Sequence, residues 1–146
     1  MKDIKPLLEK VVRKEDETYR YFSLLAESEK DEKIKQIYEE LAQEEIEHKE
    51  LLDTILNRET TKYSFKNLDA LDNTKFLTIS FPERRSSIKD VLTYAVNRSG
   101  AAHNFFKIMT NASPTEYTRE VFNKISNIEL ALKNRLTRIL EEFNEK

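Results

Sequence analysis

The chain has 146 residues, 25 Lys+Arg against 27 Asp+Glu, three Pro, a single Gly and no Cys. That length fits one domain with a real core, the lone Gly100 excludes glycine-rich phosphate loops and hairpin-rich β folds, and the missing thiols exclude disulfides, thiolate metal sites, iron–sulfur clusters and cysteine nucleophiles. A net charge of −2 offers no coherent basic surface to nucleic acid, and no apolar run approaches the ~18 residues of a membrane span, so neither kind of partner is expected.

The opening MKDIKPLLEKVV carries charges inside its apolar pattern and shows no signal-peptide core, which predicts a cytoplasmic protein. A first helix is expected over 6–28, with Pro6 in its first turn, where a missing N–H costs nothing. Placing residues at about 100° intervals puts Leu8, Val11, Val12, Tyr19, Phe22, Leu25 and Ala26 on its apolar stripe. Asp31 is a natural N-cap for a second helix over 31–57, with Ile34, Ile37, Tyr38, Leu41, Leu52, Ile55 and Leu56 inward. The short link between them forces an antiparallel hairpin.

The helical period disappears over 58–86, a stretch with Thr60, Thr61, Asn67, Asn73, Thr74 and Pro82 and an extended apolar piece from Phe76 to Phe81. A connection of that length suits a crossover running along a bundle. A third helix follows over 87–111, starting at Ser86 or Ser87, with Ile88, Val91, Leu92, Ala95, Ala102, Phe105, Phe106 and Met109 inward. The fourth is expected over 114–143. Ser113-Pro114-Thr115-Glu116 reads as an N-cap, a first-turn proline and a capping-box acid, and Val121, Ile125, Ile128, Leu132, Leu136, Ile139 and Phe143 form the stripe. Two hairpins joined by a long crossover predict a single all-α domain with the connectivity of a ferritin-like four-helix up-down bundle.

Charge is uneven along the chain. Residues 1–57 carry 10 Lys+Arg and 16 Asp+Glu, while 58–146 carry 15 and 11. Most of these acids belong to solvated faces, but Glu17 and Glu45 fall on the apolar stripes of the first two helices. Burying an ionised carboxylate costs several kcal/mol unless a cation or hydrogen bonds compensate it. His48 follows Glu45 by three positions, so both leave one face of the helix. One carboxylate helix facing one Glu-x-x-His helix is half of a di-iron carboxylate site. Glu15 also lies near the first stripe and takes the place of Glu17 if the helical register is turned; Glu44 and Glu47 point further away.

The segment Glu17-Thr18-Tyr19-Arg20-Tyr21-Phe22, followed by Leu41-Ala42-Gln43-Glu44-Glu45-Ile46-Glu47-His48, resembles the rubrerythrin-type ferritin-like family. The resemblance implies a di-iron centre built from two such repeats, used to reduce hydrogen peroxide or to react ferrous iron with oxygen. It covers the whole chain in architecture and only the first half in motif. Full rubrerythrins add a four-Cys rubredoxin domain, which these residues cannot form. Laying the second repeat on the first by its aromatic pair, Phe105-Phe106 on Tyr21-Phe22, matches Glu17 with Ala101, Glu45 with Glu129 and His48 with Leu132. The second half has thus lost two of three ligands. His103 does not restore them, because it projects well off the third helix's stripe.

The resulting ligand set is Glu17, Glu45, His48 and Glu129. Three arrangements are open for it: one metal ion on all four residues, no metal with Arg98 among the carboxylates, or carboxyls kept protonated by burial. Arg98 projects within the third stripe, either into that cluster or with its head carried out to water. Tyr38 and Tyr94 also face inward, as core tyrosines with bonded hydroxyls or as phenols beside a metal. A glycosidase-type acid pair lacks the aromatic lining of a sugar cleft, there being no Trp, and a Ser-His-Asp set lacks its elbow. Two functions are expected to compete. One is a rubrerythrin-like protein with a single metal, iron or another divalent ion, or an incomplete di-metal centre, and ferroxidase- or peroxidase-like chemistry. The other is a metal-free bundle acting through its surface. A homodimer through an outer helix face is expected in either case, and no electron donor is indicated.

Overall fold

The computed structural model describes residues 4–57, 65, 68–73, 75–83 and 86–145. Four long helices account for most of them: α1 (Lys5–Ser28), α2 (Glu32–Leu56), α3 (Ile88–Ala112) and α4 (Glu116–Asn144). α1 packs on α2 and α3 on α4, and the short links 29–31 and 113–115 make each pair an antiparallel hairpin. This pairing is consistent with an all-α four-helix bundle, the class expected from the sequence. The chain divides into two units, Met1–Ser64 with the first hairpin and Phe65–Lys146 with the second. Among the described residues no helix is long and apolar enough to cross a membrane.

Local chemistry fixes where the helices start. The Asp31 carboxylate accepts from the backbone N–H groups of Lys33 and Ile34 at 2.9 and 3.2 Å, satisfying two donors that the first turn leaves without helical partners. Ser87 and Asp90 form a reciprocal capping box. At α4 the expected cap is displaced. Thr115, not Ser113, is the N-cap, accepting from the Thr118 N–H at 3.2 Å. The Ser113 hydroxyl instead donates to the Met109 carbonyl at 2.7 Å and closes α3, so Pro114 stands between the two helices.

Residues 58–64, 66–67, 74 and 84–85 of the expected crossover lie outside the described residues. The structure holds a short 3-10 helix in the crossover, Leu68–Asn73, which the loss of helical period conceals. Phe76, expected in an extended piece, starts a turn and is fully buried.

Within the second unit, aromatic rings knit the crossover to α3 and α4. Phe76 lies 5.2 Å from Phe105 and 5.7 Å from Phe106, and Phe106 stacks on Phe122 at 6.2 Å. A polar clasp joins α3 to α4: His103 Nδ1 lies 2.9 Å from the Ser126 carbonyl, and the Ser126 hydroxyl donates to the His103 carbonyl at 3.1 Å. A carbonyl can only accept, so Nδ1 carries the ring proton.

Gly100 sits inside α3, where the atoms nearest an added Cβ belong to the Lys133 side chain, Cδ being 3.4 Å away. That is ordinary van der Waals distance to a flexible stem. Gly100→Ala is therefore expected to stabilise the protein by about 0.5–1 kcal/mol through reduced unfolded-state freedom. A urea midpoint raised with unchanged slope is the check; a lowered midpoint would show that the Lys133 stem cannot yield.

Candidate metal centre

Three side chains converge in the first unit. Glu15 on α1 and Glu45 and His48 on α2 are all buried, and each offers a donor atom within 4.8 Å of the others. Glu45 and His48 meet because positions three apart share a helix face. Glu15 reaches them because α1 packs against α2 in the hairpin. Two carboxylate oxygens and one imidazole nitrogen are a donor set for a divalent first-row ion such as iron, manganese or zinc. The residues present therefore fit a divalent metal.

Glu17, the expected ligand on α1, is not part of this cluster. Its side chain is 58% exposed and lies 4.0 Å from the Lys14 ammonium, one turn back. Two residues at about 100° each turn it ~200° away from Glu15. The buried face of α1 runs Leu8, Val11, Glu15, Thr18, Phe22, Ala26. Two of its members are polar, which breaks the hydrophobic period and lets Val12 and Tyr19, both half-buried, pull the inferred stripe off centre. Thr18 is accommodated because its hydroxyl donates to the Lys14 carbonyl at 2.7 Å.

The other expected site residues are placed as follows. Glu129 is buried on α4 and Arg98 on α3, both in the second unit. Arg98 does not carry its head to water: it is 3% exposed, and its guanidinium carbon lies 5.2 Å from the centroid of the Phe76 ring. Tyr38 is buried on α2, two turns before Glu45. Burial pushes its phenol up to about 12, with the Glu29 charge and then Tyr21 adding to the shift. Burial likewise pushes Tyr21 up to about 12, so both phenols keep their protons at neutral pH. Tyr94 is buried in the second unit with its ring 5.8 Å from Phe81.

A convergent Glu, Glu and His on the first of two helix hairpins is accompanied by a family match: the rubrerythrin family covers residues 6–140. The chain belongs to the rubrerythrin family. No curated protein and no solved structure is significantly similar to it.

With Glu15 in place of Glu17, the correspondence between the two halves of this rubrerythrin-family chain also changes. The step that carries Phe22 onto Phe106 carries Glu15 onto Ser99, not onto Ala101. The paired positions Glu15 and Ser99, Phe22 and Phe106, Glu45 and Glu129, His48 and Leu132 are buried without exception. The second half keeps the burial pattern of the first and one of its three donor side chains.

Proposed function

We propose that this rubrerythrin-family protein holds one divalent metal ion, iron, on Glu15, Glu45 and His48. The observation that carries the reading is the convergence of those three buried donors in one hairpin. The count of one follows from the second hairpin, where Ser99 and Leu132 occupy the positions of Glu15 and His48. Two carboxylates balance the charge of a divalent ion, and a neutral imidazole adds a terminal nitrogen ligand. Three protein donors fill only part of a first-row ion's coordination, which leaves positions for water or peroxide. Bound iron supplies the redox couple for peroxidase- or ferroxidase-like chemistry. The chain's own groups set the rest: Glu45 and His48 sit on one face of α2 and Glu15 on α1, so the hairpin itself holds the donors in place.

The test is elemental analysis of protein purified without chelators and reloaded anaerobically with ferrous iron. One iron per chain is expected, lost in His48→Ala and weakened as the pH is lowered, because imidazole ligates only when neutral. Oxidation of the loaded iron by peroxide in preference to air would assign the peroxidase-like activity. Two irons would overturn the single-site reading. None would leave the metal-free scaffold, with activity confined to its surface.

A further inference from the structure

A cavity of about 290 Å³ lies between α1 and α2, lined by Glu15 and Glu45 together with Asp16, Lys49, Glu50 and Asp53. Glu15 and Glu45 are almost fully buried, whereas Asp16, Lys49 and Asp53 are half-buried and Glu50 is exposed. The cavity thus links solvent to two of the three donors. Six waters occupy roughly 180 Å³ at about 30 Å³ each, so a hydrated divalent ion fits. Around it stand five carboxylates and one ammonium, an arrangement that concentrates cations. The ammonium is Lys49, whose Nζ lies 3.7 Å from Asp16 Oδ1 and so ties α2 to α1 at the cavity. Arg20 holds the other oxygen of Asp16 at 2.9 Å and is not part of the lining. Both pairs are partly exposed and therefore weak, and the Lys49 pair, at 3.7 Å the longer of the two, is easily exchanged.

We propose that Lys49 gates metal access to Glu15 and Glu45, its ammonium occupying the cation position at Asp16 until an incoming divalent ion displaces it. The inference rests on the reading of Glu15, Glu45 and His48 as a metal site and adds a kinetic role for a residue that is not a ligand. Lys49 slows loading by its charge and leaves the final occupancy unchanged.

Stopped-flow uptake of Co²⁺ by the full chain, followed by the visible absorption of the bound ion, tests this. Lys49→Met is expected to load about 5–10-fold faster at low salt, with the advantage shrinking toward unity near 1 M salt, where screening acts over only ~3 Å. Lys49→Arg should load at the wild-type rate. Lys10→Gln removes an equal charge from an exposed site outside the cavity and should change the rate less than twofold. Equal rates for wild type and Lys49→Met, at normal Co²⁺ stoichiometry, would overturn the gate alone. So would an acceleration by Lys10→Gln as large as that by Lys49→Met. Failure of the wild-type protein to take up Co²⁺ would overturn the metal site and the gate together.

Discussion

Glu15→Ala should weaken metal binding by more than ~100-fold, while Glu17→Ala leaves it within twofold of wild type. Loss of a residue that merely orients a ligand already costs about 10–100-fold in affinity, and among the described residues Glu15 is one of three side chains that converge as donors. Glu17 lies only two positions along the same helix, but its exposed carboxylate faces Lys14. Removing it costs at most a weak surface ion pair. Glu15→Gln sharpens the comparison, since it keeps the size and the hydrogen-bonding oxygen and removes the charge. It should bind as poorly as Glu15→Ala, because two anionic donors are what balance a divalent ion. Titration with Co²⁺ or anaerobic Fe²⁺, read as stoichiometry and affinity, decides the matter. Wild-type affinity in Glu15→Ala, or its loss in Glu17→Ala, would mean that the donors on α1 have been assigned to the wrong turn.

That pair of variants marks where the sequence stops being readable. Helix number and hairpin pairing were legible because α2 and α3 keep their apolar positions in step with the helical period; the expected inward residues of α2 from Ile37 to Ile55 are all buried. The Asp31 and Ser87 caps were legible because capping depends on a few adjacent residues. α1 and α4 misled for a shared physical reason: polar side chains make up a larger share of their buried faces, Glu15 and Thr18 among six residues in one and Thr118, Ser126 and Glu129 among seven in the other, against Glu45 and His48 among eight in α2 and Arg98, Ser99 and Thr110 among twelve in α3. A stripe defined by apolar residues alone drifts where the buried face turns polar. In α1 the drift selected Glu17 over Glu15. In α4 it favoured the half-buried Val121, Ile128 and Ile139 over the fully buried Phe122. Of the three converging donors Glu15 was the hardest to place, because a buried acid interrupts the very pattern used to find the buried face. The Arg98–Phe76 pairing was out of reach for a different reason: it joins α3 to a crossover without periodicity, so nothing local signals it.

Phe122 also completes the cluster behind the largest stability effect expected here. Phe106→Ala should destabilise the protein by about 3–5 kcal/mol, which at ~2–4 °C per kcal/mol for a chain of this size lowers the melting temperature by roughly 10 °C. Phe106 is fully buried and meets three rings: Phe105 edge-on at 5.2 Å, Phe76 at 5.7 Å and Phe122 nearly parallel, with 22° between the ring planes. Its loss removes the transfer free energy of the ring and the aromatic pair terms, and leaves a void that neighbours from α3, α4 and the crossover must all move to fill. Phe106→Leu retains most of the volume and should cost less than half as much. The donors Glu15, Glu45 and His48 all belong to the first unit, so the folded fraction of Phe106→Ala should still bind one metal per chain while its urea midpoint falls. An unfolding free energy within about 1 kcal/mol of wild type, far short of the ~3–5 kcal/mol of a large-to-small core substitution, would mean that the rings are not packed as a unit. A folded Phe106→Ala protein without metal would show instead that the donor set depends on the aromatic core of the second hairpin.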